Sequence, residues 1–275
     1  MSFKGQLLFI SLLAIRVYCQ TIILFGDSLT EHGFYPAGWG TKLQKLYEGE
    51  IEFINQGRGG YTTEWSLPLL GPALDQYSKD PNNPLLLTTI FLGTNDATLP
   101  NSGWDRTVPI PKYIDNLKQM IDMVLKYTKV ILITPPPGDE NKDGARTLAN
   151  TKLYRDACLQ IAIDFNIPVL DTWPLIMKPD GIYNQTIADQ VYIDGVHFTP
   201  IGNDIILFGI AKLIRKVLST RERVWIYPGP NLILTLVGIL FILLFLYKSY
   251  HLRLFTYLSR RIATTADDTT PLVTQ

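Results

Sequence analysis

Ile22-Ile23-Leu24-Phe25-Gly26-Asp27-Ser28-Leu29 is an apolar run that ends in a turn and a serine. Four consecutive apolar side chains suit a strand buried on both faces, and Gly-Asp-Ser is turn chemistry at its end. Working outward from it, strand-length apolar runs are expected at 21–25, 51–55, 85–92, 129–134 and 168–171. Helical patterns separate them. Ile114, Leu117, Ile121, Val124 and Leu125 recur mostly at steps of three and four, which gives one apolar helix face. A second helical pattern covers about 146–165, and a third follows Thr199-Pro200, an N-cap with proline at the first helical position. Near-continuous apolar strands alternating with helices predict an α/β fold with a parallel sheet covered on both sides.

Such a sheet gathers ligands beyond the carboxyl ends of its strands. Ser28 follows the first strand, Gly60 the second, and Asn95, within Gly93-Thr94-Asn95-Asp96, the third. A serine hydroxyl is hardly ionised at neutral pH, so a nucleophilic Ser28 needs a base. Among His32, His197 and His251, His197 has the better context, because Asp194 stands three residues before it and can fix an imidazole's tautomer. Attack on an ester creates an oxyanion that needs preorganised donors. The N–H of Ser28, the N–H of Gly60 and the side-chain amide of Asn95 are the candidates, with glycine allowing close backbone approach. Each motif alone is common: Gly-Asp-Ser and Asp-x-x-His as plain turns, Asn95 as an Asx-turn, Gly57, Gly59 and Gly60 as a plain loop. Their joint occurrence at one sheet edge is what points to a serine acyl-hydrolase. Asp27 and Asp96, beside these candidates, are expected to bond turn backbone. Phe34, Tyr35, Trp65 and Trp104 are expected in loops above the sheet, either lining a pocket or simply packing.

The ordered blocks resemble the SGNH, or GDSL-type, hydrolase family over about residues 21–218. The family's serine block, glycine block, Gly-x-Asn-Asp block and Asp-x-x-His pair correspond to Ser28, Gly60, Asn95, Asp194 and His197. Gly26-Asp27-Ser28-Leu29-Thr30-Glu31 with Gly60-Tyr61-Thr62-Thr63 is most similar to the isoamyl acetate-hydrolysing esterase branch. The resemblance implies a three-layer flavodoxin-like, doubly wound, five-stranded sheet and ester hydrolysis through an acyl-serine. No Gly-x-Ser-x-Gly elbow occurs, which argues against an α/β-hydrolase.

Lys+Arg and Asp+Glu number 25 each, so nothing resembles a basic footprint for nucleic acid. Three histidines and two cysteines offer no metal cluster, and no metal or organic cofactor is expected. Cys158 shares a helical face with Tyr154, Ile161 and Phe165 and reads as a buried thiol. At the N-terminus, 7–15 is apolar except for Ser11 and follows one lysine, which suits a signal peptide over 1–19. The alternative is an extra segment packed on the fold. Residues 232–247 carry no charge, and with 224–227 they suit a transmembrane segment over 224–247, followed by a cytosolic tail over 248–275. Four basic residues on each side leave the positive-inside rule neutral, so the leader must place the hydrolase domain, 20–223, in the lumen of the secretory or endolysosomal pathway. Asn184-Gln185-Thr186 is then an N-glycosylation sequon, and Asp268-Thr269-Thr270-Pro271-Leu272-Val273 resembles an acidic sorting signal. The expected activity is a membrane-anchored serine esterase acting on small or lipid-like carboxylic esters. The alternatives are a lysophospholipase or thioesterase using the same residues, and a non-catalytic membrane-anchored binding protein.

Overall fold

The computed structural model describes residues 20–104, 106–177 and 184–218. The expected leader, the 224–247 segment, the tail and its sorting signal lie outside the described residues. Within them, no helix is long and apolar enough to cross a membrane.

All five expected strands form: β1 (Gln20–Gly26), β2 (Ile51–Gly57), β3 (Leu85–Phe91), β4 (Lys129–Ile133) and β5 (Val169–Leu170). They make one parallel sheet in the order β2-β1-β3-β4-β5, the flavodoxin-like order with its switch point between β1 and β3. The helices are α1 (Ser28–Glu31), α2 (Trp39–Leu46), α3 (Thr63–Tyr77), α4 (Ile110–Leu125), α5 (Glu140–Asp143), α6 (Leu148–Asp164), α7 (Trp173–Ile176), α8 (Gln185–Val191) and α9 (Pro200–Val217).

The period-2 alternation of each strand divides the core in two. Ile22, Leu24, Phe53, Leu87, Phe91, Ile131 and Ile133 point to the face that packs Trp39 and Leu43 of α2 and Ile206, Ile210 and Ile214 of α9. Ile23, Phe25, Ile90, Val130 and Leu132 point to the opposite face, against Leu70 and Leu74 of α3, Leu117 and Ile121 of α4, and Tyr154, Cys158 and Ile161 of α6. Both faces are covered, which is why β1, β3 and β4 read as near-continuous apolar runs, whereas the edge strand β2 alternates, with Glu52 exposed. The Cys158 thiol is buried, and burial pushes its pKa up to about 12, so it is an inert core group.

Helices α2 and α3 are two that were not expected from the sequence. In α3, Pro68 and Pro72 stand inside the helix, where each removes a backbone N–H. Both prolines are exposed, as is Glu64 four residues before Pro68. The carbonyls left without a partner therefore lie on the solvent side, while Ser66, Leu70, Ala73 and Leu74 keep the buried stripe. Helix α2 is short and begins at Gly38 without a side-chain cap. By contrast α9 starts as expected, with Thr199 Oγ1 accepting from Gly202 N at 3.2 Å and Pro200 in the first turn.

Candidate active site

β1 stops at Gly26 and the chain turns directly into α1, whose first residue is Ser28. Asp27 caps that turn: its Oδ1 accepts from Leu29 N at 2.9 Å, and its carbonyl takes the N–H groups of Thr30 and Glu31. Ser28 thus stands at the carboxyl end of β1 with its side chain aimed across the sheet edge, only 8% exposed. Its Oγ lies 2.9 Å from His197 Nε2. The Nδ1 of the same ring lies 2.7 Å from Asp194 Oδ2.

Asp194 and His197 share one tight turn. Tyr192 and Phe198 form an antiparallel bridge, and Ile193 N donates to His197 O at 2.8 Å. Inside the turn, Asp194 Oδ1 accepts from Val196 N and His197 N at 3.0 and 2.8 Å. Gly195 sits at φ +94°, where a side chain is strained. Burial works to raise the Asp194 pKa, but the bonds from His197 and Val196 outweigh it and hold the carboxyl below its ordinary 3.8. The imidazole therefore faces a permanent carboxylate, which fixes Nδ1 as the protonated nitrogen and leaves Nε2 free to accept from Ser28.

His32 does not reach Ser28 Oγ by any hydrogen bond; its ring stacks on Tyr35 at 4.6 Å and lies 4.7 Å from that of His197. Burial, and then the proximity of His197, push the His32 pKa below its ordinary 6.5. That shift favours the uncharged form of the ring that lies against His197.

The expected donors come from the neighbouring strand ends. After β2, Tyr61 N bonds Arg58 O at 3.2 Å, closing a turn in which Gly60 takes φ +76°. After β3, Asn95 Nδ2 donates to Tyr61 O at 2.9 Å, tying the two loops together. Asp96 reinforces that tie: its carboxylate accepts from Thr63 N at 3.0 and 3.1 Å and from the Thr63 hydroxyl. Burial raises the Asp96 pKa to about 6 despite those bonds. Asp27 and Asp96 hold backbone, as their positions in the sequence suggested. The N–H of Ser28, the N–H of Gly60 and the second Nδ2 hydrogen of Asn95 bond to no described residue. They are the three donors expected from the sequence at this edge.

Arg146 is the residue the sequence reading missed. It is 8% exposed, and its guanidinium donates to Thr94 O, to Asn95 Oδ1 at 3.2 Å and to both Asp143 oxygens at 2.8 and 2.9 Å. Occupying Oδ1 from behind forces the Asn95 NH₂ toward the site, an orientation that no local motif encodes.

Of the aromatic residues expected above the sheet, Tyr35 lines a cleft of about 180 Å³ beside His197, with His32, Pro36, Ile193 and Phe198. Trp65 belongs to α3 and not to a loop, Trp104 lies in the β3–α4 loop, and Phe34 packs against the core. A larger hollow, about 740 Å³, is lined by Leu125, Lys129, Pro168 and Lys216 at the amino ends of β4 and β5. It is on the wrong edge of the sheet for this chemistry. Among the described residues no group of His, Cys, Asp and Glu could hold a metal ion.

A family model described as GDSL-like lipase/acylhydrolase matches residues 24–205. The chain is 33% identical over 216 residues to a rat protein named isoamyl acetate-hydrolyzing esterase 1 homolog, covering 74% of this chain and 84% of that one. It is 30% identical over 227 residues to an Arabidopsis thaliana GDSL esterase/lipase, covering 75% and 90%. Among solved structures, a lipase/acylhydrolase from Enterococcus faecalis superposes with a TM-score of 0.57 at 25% identity, over 72% of this chain and 96% of that one. The match runs through every strand end described above, so this chain belongs to the GDSL-like lipase/acylhydrolase family and is a carboxylic ester hydrolase.

Proposed function

We propose that Ser28 is the nucleophile, His197 the general base and Asp194 its orienting carboxylate, and that the enzyme hydrolyses small carboxylic esters through an acyl-serine. The unbroken path from Asp194 Oδ2 to Nδ1 at 2.7 Å and from Nε2 to Ser28 Oγ at 2.9 Å is the observation that carries this reading. Ser28 Oγ bonds to the ester carbonyl carbon as its proton passes to His197 Nε2. The carbonyl oxygen gains the negative charge and is met by the N–H groups of Ser28 and Gly60 and the Asn95 amide. Collapse breaks the bond to the alcohol oxygen, which leaves with the proton from His197. A water then loses a proton to His197, attacks the acyl carbon and releases the acid and Ser28.

The cleft beside His197, about 180 Å³, is below the usual range of roughly 300–1,000 Å³ for drug-sized ligands and favours a compact group there. Ser28→Ala is expected to abolish both ester hydrolysis and labelling by a fluorophosphonate probe while the folded protein persists. Labelling that survives in the folded variant would remove Ser28 from the role.

The reading extends to an anchored enzyme with its catalytic domain in the lumen. Its support is the sequence of 7–15 and 232–247, together with the sequon at Asn184.

A further inference from the structure

Arg106 places a positive charge at the rim of the site where the hydrolysis of a neutral ester needs none. It lies in the loop between β3 and α4, anchored on its C-terminal side by Thr107 Oγ1 donating to Thr98 O at 2.7 Å and Val108 N donating to Asp96 O at 3.1 Å. Its guanidinium carbon stands 4.7 Å from the ring centroid of Trp104 and 5.9 Å from that of Trp65. Held by the two indoles, the guanidinium rests on Gly60: a Cβ built there would fall 1.8 Å from Arg106 Nη1. The cation therefore touches the α-carbon of the residue whose N–H is one of the unengaged donors. Arg146 and Arg155 both pair with aspartates, but no carboxylate of the described residues pairs with Arg106. Trp65 and Trp104 are 45% and 51% exposed, so their rings are open to a ligand.

A guanidinium is planar and weakly hydrated, and it stacks readily on indole faces while its edge keeps a fork of N–H donors. That fork matches a carboxylate or a phosphate in two parallel hydrogen bonds. A purely alkyl substituent lying against it would strip water from those donors and return no acceptor, which is costly. An anionic substituent would satisfy them, and the flanking indoles would cover its neighbouring carbons.

We infer that Arg106 is a specificity-determining residue that selects esters carrying a carboxylate or phosphate group a few bonds from the scissile carbonyl. The inference rests on the Ser28 hydrolase reading above and names its substrate class.

The test compares matched esters on the full-length protein in detergent. One pair places the anion on the acyl side: para-nitrophenyl monosuccinate against para-nitrophenyl butyrate. The other places it on the alcohol side: a short-chain lysophosphatidic acid against the monoacylglycerol of the same chain. In one pair at least, the wild type should prefer the anionic member, and the pair that responds identifies the side. Arg106→Gln should then lower kcat/KM for that ester by about 10- to 100-fold, mainly through KM, as expected for losing a charge-assisted hydrogen bond. The neutral partner should change by less than about threefold, because it offers the guanidinium no acceptor to lose. Arg106→Lys should keep part of the preference, and added salt should erode it in the wild type, since exposed charge pairs are screened. If Arg106→Gln fails to fold, the lysine variant and the wild-type salt dependence decide. A wild type that prefers the neutral ester in both pairs would overturn the inference, as would a variant that slows both members equally. If neutral esters are turned over without any anion preference, this inference alone fails. If no ester is hydrolysed and Ser28 takes no fluorophosphonate label, the hydrolase reading fails with it.

Discussion

The Asn95 amide is held at both ends, Oδ1 by Arg146 and one Nδ2 hydrogen by Tyr61 O. In the proposed reaction, an amide fixed this way would donate its remaining hydrogen without reorganising when charge appears on the substrate oxygen, which is what makes an oxyanion donor effective. Asn95→Ala is expected to lower kcat by roughly 10²–10³-fold with little change in KM, because the bond strengthens only as the transition state forms. Steady-state kinetics on a neutral ester check this, and an effect confined to KM would make Asn95 a ground-state binding residue. Asn95 was legible as a candidate because Gly-Thr-Asn-Asp follows an apolar run. Arg146 was not, since its partners Thr94 and Asn95 lie 52 and 51 residues away.

The turn carrying Asp194 and His197 works as an element, because four backbone and side-chain bonds inside it set the imidazole's position. Gly195 is its pivot. Besides its positive φ, a Cβ there would fall 2.6 Å from Asp139 O and 2.7 Å from Asp143 N. Gly195→Ala should destabilise the fold by roughly 1–3 kcal/mol, the range for a side chain forced into sparsely populated backbone geometry. It should also lower kcat at temperatures where the protein is still folded, as the Asp194–His197 pair moves away from Ser28. Urea denaturation and kcat measured together test this; an unchanged kcat would show that the turn tolerates displacement. The same contrast between local and tertiary control appears in α3. Its prolines mask the helical pattern, and only the sheet beneath shows which stripe is buried.

At the scale of the molecule, Asp27 couples the fold to pH. It is fully buried with Oδ2 unpartnered, and burial raises its pKa from 3.8 to about 7, against bonds from backbone N–H groups and the charge of Arg146. The folded state holds this proton more tightly than the unfolded chain. The stability it contributes is therefore complete below about pH 3.8 and is lost as pH rises through about 7. Asp27→Asn removes the titration while keeping an oxygen for Leu29 N, so its stability should vary less between these limits than the wild type's. Denaturation midpoints across that window test it, and equal slopes would mean that Asp27 is ionised in the native state. Topology is tested on the same scale. In intact microsomes, protease should remove a tag placed after Gln275 and spare the catalytic domain. Asn184 caps α8 through Oδ1, which accepts from Ile187 N at 3.2 Å. Thr186→Ala is thus the better sequon variant, since it keeps the cap while abolishing a glycosidase-sensitive mass shift. Protection of the tag with digestion of the domain would reverse the proposed orientation.

The strands, most of the long helices and the sheet edge that gathers the site were determined by the sequence itself. Period-2 and period-3.6 apolar patterns, caps and turn residues act over a few positions, so they are readable along the chain. The expected strands agree with the observed ones to within a residue or two for this reason. Tertiary structure alone decided that the His197 ring meets Ser28 across 169 residues, that Arg146 aims Asn95, and that Arg106 lies between two indoles on Gly60. Those meetings depend on how loops from different strands pack against one another, and hydrogen bonds and stacking between distant side chains leave no periodic trace in the chain that makes them.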